Sequence, residues 1–333
     1  MTESSPTYRL PTAIAMIVGI CIGSGIFFKS DNILIATGGN VPLGILVFLL
    51  GAVGIIFGGL SIGQLAARTA QPGGLIAYAA EFVGPGFTGG VGWFQVFFYF
   101  PTLVAAVSRA AGHYFCSLFS IPDTLETQCL VGFLFFTLCF FWNICSARLG
   151  GILQNAATAL KLLPLLLIAV CGLFFGNPGE TIGLSAKSPA AAGWISAIGP
   201  IAFAYDGWVI ATAISHEVKD ARRNMPRALL VAPVFVTGIY ILYFLGVSSL
   251  LSPEAVRTMG DRHVAFLAGR LLGPFGAKVM LLFILIAVAG TLNGVILGYL
   301  RLPHALAKRG LLPLSRIFAE PRAFLRALPA YTA

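Results

Sequence analysis

Three places in this chain put polar or helix-breaking residues inside apolar sequence, where each demands a chemical reason. The first is Gly23-Ser24-Gly25, near the end of the run Gly19-Ile20-Cys21-Ile22-Gly23-Ser24-Gly25-Ile26-Phe27. A glycine inside a helix costs about 1 kcal/mol relative to alanine. In lipid, each freed backbone N–H or C=O costs several kcal/mol more unless something satisfies it. Two readings fit: small residues that let another helix approach closely, or a break whose freed backbone groups hold a polar ligand. The second place is Asp206, in Ile198-Gly199-Pro200-Ile201-Ala202-Phe203-Ala204-Tyr205-Asp206-Gly207-Trp208. A carboxylate in an apolar run marks a functional site by default; its alternative role is to cap the second half of a broken helix. Gly199-Pro200 removes a helical hydrogen bond just upstream, so a break is expected on either reading. The third is Lys161, about ten residues into its apolar run. That is deep for a snorkelling lysine, unless the span starts later than the pattern indicates. A lysine buried here would brace a broken helix or exchange a proton.

Broken helices imply a particular ligand. The N–H groups freed at the start of a half-helix favour a carboxylate. The carbonyls freed at the end of the preceding half favour an ammonium. Together they suit a zwitterion, and an amino acid is one. Catalysis is not expected. The six cysteines (Cys21, Cys116, Cys129, Cys139, Cys145 and Cys171) lack metal-ligand spacing and read as small core residues. A bond between Cys116 and Cys129 stays open. His113, His216, His263 and His304 fall near loops, and no Ser/His, metal-ligand or paired-carboxylate set lies within a span. No cofactor or metal is expected.

The elements that must position these residues are membrane spans. The 333 residues are 58% hydrophobic and 10% charged, where a soluble domain carries about 25% charged residues. Continuous apolar runs exclude a β-barrel and give an all-α polytopic protein with about eight spans. These are expected near residues 11–28, 42–67, 92–111, 129–145, 152–175, 194–214, 228–250 and 279–300, with a loop from Lys29 to Val41 and an interfacial segment at 75–90. The net charge of +9 sits mostly between spans, so it reads as orientation rather than nucleic-acid binding. With the N-terminus in the cytoplasm, thirteen Lys and Arg lie inside and seven outside, a bias that supports that orientation. Spans 1 and 6 each lead a five-span set. Residues 1–175 are the first repeat, and 176–333 are a second, incomplete one, inverted in the membrane as in many secondary transporters.

The residues also resemble a known family. Ile22-Gly23-Ser24-Gly25-Ile26-Phe27 resembles the first-helix motif of the amino acid–polyamine–organocation permeases. Phe203 to Trp208, His216-Glu217-Val218-Lys219 and Arg223-Asn224-Met225-Pro226-Arg227-Ala228 resemble their sixth helix and the loop after it. Leu292-Asn293-Gly294, Arg301 and Ala307-Lys308-Arg309-Gly310-Leu311-Leu312-Pro313 resemble the eighth helix and its exit. The likeness runs from about Tyr8 to Pro329 and is strongest to the L-type amino acid transporter branch, of the bacterial serine/threonine exchanger type.

The resemblance implies a leucine-transporter-like fold with helices 1 and 6 discontinuous. It implies sodium-independent carriage or exchange of small neutral L-amino acids by alternating access across the cell membrane. The amides of Ser24, Gly25 and Ile26, in the Ile22–Gly23 break, would bind the carboxylate. Carbonyls of Cys21, Phe203, Ala204 and Asp206 would bind the amino group, and Tyr205, Trp208 and Val209 would line the side-chain pocket. Lys161 would stand where related carriers hold sodium, with Thr291 as its partner on span 8, and Asn293 belongs to the same helix. Ser120 and its neighbours offer no cysteine for a heavy-chain glycoprotein, so none is expected; a homo-oligomer stays open. The family has twelve spans, and Leu328-Pro329-Ala330 looks like the entry to a ninth. The alternative implied is therefore a truncated, non-transporting amino-acid-binding or inactive membrane protein.

Overall fold

The computed structural model describes residues 8–69, 71–186, 193–260 and 262–319. Lys187, Arg322 and Arg326, three of the basic residues counted for orientation, and the span entered at Leu328 lie outside them. Among the described residues the protein is an all-α polytopic membrane protein, with one isolated bridge between Tyr8 and Val218. Seven helical segments are long and apolar enough to cross a membrane: Val41–Arg68, Pro85–Phe119, Leu125–Cys145, Arg148–Phe175, Trp194–Glu217, Ala221–Leu250 and Gly276–Ala307. They are spans 2 to 8. Span 1 is shorter because it is broken. Its helix Leu10–Cys21 stops, and the chain resumes as a 3-10 turn, Gly25–Phe28, and a second helix, Lys29–Ala36.

That second half corrects the loop expected from Lys29 to Val41. The polar run Lys29-Ser30-Asp31-Asn32 hides a helix whose buried face includes Ile33 and Leu34. The turn itself is shorter. Gly38 and Gly39 both take positive φ, and the Asn40 side chain caps span 2 by accepting from Leu43 N at 2.9 Å. Gly199-Pro200 is a second correction. The helix Ile198–Ala204 begins there, so Pro200 occupies a first turn, where its missing N–H deprives nothing. The interruption falls at Tyr205-Asp206-Gly207, with Gly207 at φ +94°.

Span 1 packs among spans 5, 7 and 8, span 2 lies along span 7, and span 3 lies along spans 4 and 8. Span 8 is the most enclosed; span 4 turns Phe133, Leu134, Leu138 and Phe141 outward. Between spans 7 and 8 two short helices, Pro253–Met259 and Arg262–Leu272, replace the loop read from the sequence. Span 3 carries a π-helical segment, Phe94–Tyr99, immediately before Pro101. The proline has no N–H for the i→i−4 ladder, and a wider turn there changes which face Tyr99 presents. All six cysteines are free.

Close backbone approach fixes these packings. A Cβ on Gly172 of span 5 would lie 2.3 Å from Gly246 Cα of span 7, the small-residue contact that lets membrane helices touch. Gly246→Val forces the pair apart. Overpacking of this kind costs about 1–3 kcal/mol, so the thermal midpoint of the purified protein in detergent should fall by several degrees; an unchanged midpoint would show that spans 5 and 7 do not meet there.

Candidate substrate site

The two breaks face one another. Cys21, the last residue of the first half of span 1, donates its Sγ–H to the Tyr205 carbonyl at 3.3 Å. A Cβ on Gly207 would lie 2.3 Å from Cγ2 of Ile20, so glycine is required there both by its φ and by this contact. Tyr240 of span 7 spans the gap. Its hydroxyl lies 2.9 Å from the Cys21 carbonyl and 2.9 Å from the Ala204 carbonyl. One hydroxyl proton therefore serves two carbonyls, one from each break. The Tyr240 ring also packs on Tyr205, centroids 5.1 Å apart.

The other side of the span 1 break is held by a cation. Lys161 is fully buried, in a helix that begins at Ala147, so it does not snorkel. Its Nζ donates to the Gly19 carbonyl at 2.6 Å, the Ile22 carbonyl at 2.9 Å and the Ala287 carbonyl of span 8 at 2.9 Å; Thr291 Oγ1 lies at 3.3 Å. Thr291 itself donates to Gly19 O at 3.1 Å. Among the described residues no carboxylate pairs with Lys161. Backbone dipoles and a hydroxyl carry the whole stabilisation of a buried charge that otherwise costs several kcal/mol.

Between these anchors lie Gly23, Ser24, Gly25 and Ile26. Gly23 N donates back to Cys21 O at 3.0 Å, and the Ser24 carbonyl accepts from Phe27 N at 3.2 Å. The amides of Ser24, Gly25 and Ile26 have no acceptor among the described residues. Gly25 is exposed, and a Cβ on it would meet nothing within 4 Å. Three successive N–H groups at the start of a half-helix, beside open space, are the arrangement whose partial positive charge favours an anion.

The sixth-span residues are deployed unevenly. Tyr205 is buried with its hydroxyl donating to Phe48 O of span 2 at 3.2 Å. Its side chain braces span 2 instead of lining a pocket, because Tyr240 stacks behind it. Trp208 packs toward Gly58 of span 2, where a Cβ would come within 2.9 Å of its ring. The Phe203 carbonyl is taken by Asp206 N at 3.0 Å, and the Phe203 side chain is 68% exposed. Asp206 caps nothing, since the second half of span 6 starts at Trp208 with Gly207 ahead of it and no side-chain cap. Its Oδ2 accepts from Tyr99 OH at 2.7 Å instead. Asn293 stands apart from the breaks. It accepts from Trp142 Nε1 and Asn143 Nδ2, both at 2.8 Å, and donates to Gly150 O and Gln154 Oε1, joining span 8 to spans 4 and 5.

Three further sets of contacts had no signal in the sequence. Tyr99 and Tyr240 are aromatic residues in apolar runs, where a core role is the ordinary assignment. At the end of span 6, Glu217 receives Arg301 of the span 8 segment in a two-pronged ion pair, at 2.6 and 3.0 Å. Tyr8 N donates to Glu217 O, and Lys219 N donates to Tyr8 O. The segment ahead of span 1 is thus tied to the segment after span 6.

Broken first and sixth spans opposite a buried lysine define a membrane carrier of the discontinuous-helix type. The chain belongs to the amino acid permease family, whose model matches residues 8–332. It is 30% identical over 308 residues to the serine/threonine exchanger of Bacillus subtilis, covering 92% of this chain and 68% of that protein. It is 31% identical over 322 residues to the human Asc-type amino acid transporter 1, covering 91% and 59%. To the human b(0,+)-type amino acid transporter 1 it is 29% identical, covering 90% and 62%. The chain thus spans about three fifths to two thirds of the length of these relatives.

Tyr240→Phe removes a hydroxyl shared by the two breaks. Leaving the Ala204 carbonyl without that donor costs roughly 1–3 kcal/mol, so the ligand-free protein should unfold at a lower temperature. An identical unfolding midpoint would mean that the tyrosine does not tie the breaks together.

Proposed function

We propose that this protein carries small neutral L-amino acids across the cell membrane by alternating access, without sodium, with its N-terminus in the cytoplasm. The observation that carries the proposal is the run of three unpaired amides at Ser24, Gly25 and Ile26, set beside carbonyls that a single hydroxyl serves. The amides offer a carboxylate its acceptor-side partners. The Cys21 and Ala204 carbonyls share one Tyr240 proton, with Gly23 N a second donor to Cys21, so an ammonium with three protons finds acceptor capacity left over. The cluster of Gly19 O, Ile22 O, Ala287 O and Thr291 Oγ1 is the kind of oxygen set that would hold a sodium ion, and the Lys161 ammonium already fills it. This supports sodium independence.

Spans 1, 2, 6 and 7 form the moving bundle in this proposal, and spans 3, 4, 5 and 8 the frame. Residues 1–175 and 176–333 then belong to two inverted repeats. Polar ties join bundle and frame, among them Lys161 and Thr291 to span 1, Tyr99 to Asp206, and Arg301 to Glu217, beside close apolar packing such as Gly172 of span 5 on Gly246 of span 7. Rocking in this proposal breaks and remakes the polar ties while the packed helices move between discrete arrangements. The name of the Bacillus subtilis relative, a serine/threonine exchanger, supports exchange and a small hydroxylated substrate.

The test is uptake of labelled serine, threonine or alanine into proteoliposomes, with choline replacing sodium and with or without internal amino acid. Saturable uptake, unchanged by choline and raised by internal substrate, is expected. Lys161→Ala should lower the rate at least tenfold, equivalent to about 1.4 kcal/mol. Binding without flux would contradict carriage, and unchanged kinetics in the variant would contradict the role of the lysine.

A further inference from the structure

Basic residues between spans set orientation; five of them also share one ledge. Gly63 of span 2 lies against Pro226 of span 7, with a Cβ there 3.6 Å from Pro226 Cα, and Gly59 lies against the Leu229 carbonyl. The two helices are antiparallel through these contacts. Span 2 runs on from Gly63 to end at Arg68, and span 7 starts at Ala221, ahead of Pro226. At 1.5 Å per residue both ends stand about 7–8 Å beyond the contact, on the same side. Arg68, Lys219, Arg222, Arg223 and Arg227 are all exposed there. Among the described residues none of them pairs with an acid; the one acid in the segment is Asp220.

The ledge is rigid. Asp220 takes φ +49°, its carbonyl accepts from Arg223 N and Asn224 N at 2.9 Å, and Asn224 Nδ2 donates to Lys219 O at 2.6 Å. The Asp220 side chain makes no cap. The N-terminus of a 30-residue helix therefore adds its positive end to the same place.

Below the charges the surface becomes apolar along the same helical stripes. On span 7, Arg223 and Arg227 lead at helical spacing to Leu230, Val231 and Val234, which are 40%, 50% and 52% exposed. On span 2, Arg68 and Gln64 lead to Leu60 and Phe57, which are 42% and 63% exposed. A soluble anion would use only the charges, whereas a phospholipid uses the charges and the stripes. Clusters of this size beside a span recognise anionic headgroups.

We infer that the ledge formed by Arg68, Lys219, Arg222, Arg223 and Arg227 binds the phosphate of an anionic phospholipid, with its acyl chains along spans 2 and 7. Only the choice of leaflet rests on the orientation proposed above; the binding does not depend on transport. Lys219 N is bonded to Tyr8 O, so the occupied ledge adjoins the tie between the segments that flank spans 1 and 6.

The experiment follows thermal unfolding of the purified chain in neutral detergent during titration with phosphatidylglycerol or with phosphatidylcholine of the same chains. Phosphatidylglycerol should raise the midpoint by several degrees more than phosphatidylcholine. Combining Arg68→Gln, Arg223→Gln and Arg227→Gln should abolish that difference, and Arg148→Gln, an exposed cation at the start of span 5, should keep it. Glycerol phosphate, the headgroup without chains, should give no shift. Equal shifts with the two lipids, a full response to glycerol phosphate, an undiminished preference in the triple variant, or its loss in Arg148→Gln would each overturn the inference. If the triple variant does not fold, native mass spectrometry of Arg223→Gln decides: several-fold fewer phosphatidylglycerol adducts than the unsubstituted chain support the site, and equal numbers overturn it.

Discussion

A buried ammonium, with no carboxylate partner among the described residues, holds the broken first span in place. Lys161 reaches the carbonyls of Gly19 and Ile22, on the two sides of the residue where span 1 stops being helical, and the Ala287 carbonyl of span 8. Those span 1 carbonyls would be orphans in lipid, each with a penalty of several kcal/mol. The lysine would be equally costly without them. Each therefore makes the other tolerable, and neither the break nor the charge is stable alone. The amides of Ser24, Gly25 and Ile26 are then left without an acceptor among the described residues, while the carbonyls on either side of Cys21 are satisfied.

The sixth span solves the same problem by other means. Its interruption has no lysine; it has Tyr240 reaching the Ala204 carbonyl, Cys21 reaching the Tyr205 carbonyl, and Tyr99 holding the Asp206 carboxylate. These are mostly neutral, single-proton contacts, weaker than the Lys161 cluster. The asymmetry has a mechanical meaning: span 1 is pinned to spans 5 and 8 by a charge, while span 6 is tied to its neighbours by hydroxyls and a thiol. In the proposed mechanism an arriving ammonium competes with hydroxyls for carbonyls, not with another full charge.

Much of the fold was legible in the sequence, and the reasons differ from element to element. Apolar runs marked the spans because lipid tolerates little else. Gly23-Ser24-Gly25 and Asp206-Gly207 marked interruptions because glycine and an aspartate are poor investments in a membrane helix. Lys161 announced itself as a basic residue deep in a span. Other features depend on context that no short window holds. Gly199-Pro200 breaks a helix only if the helix began earlier, and here it begins at Ile198. Lys29-Ser30-Asp31-Asn32 looks like a loop until Ile33 and Leu34 find a buried face. Tyr99, Tyr205 and Tyr240 are indistinguishable in sequence from core aromatics, because the target of a tyrosine hydroxyl is set by tertiary packing. The tie from Arg301 to Glu217 joins residues too far apart in the chain to be paired by pattern.

The central claim is that the freed amides of span 1 and the freed carbonyls of spans 1 and 6 together recognise both charged ends of an amino acid. The most direct measurement is calorimetric binding of L-serine, L-serine amide and N-acetyl-L-serine to the purified protein. The amide lacks the carboxylate and the acetylated compound lacks the ammonium, while the side chain is constant. The account predicts that only L-serine binds measurably. Comparable affinity for either blocked compound would contradict it, by showing that one of the two breaks takes no part in holding the ligand.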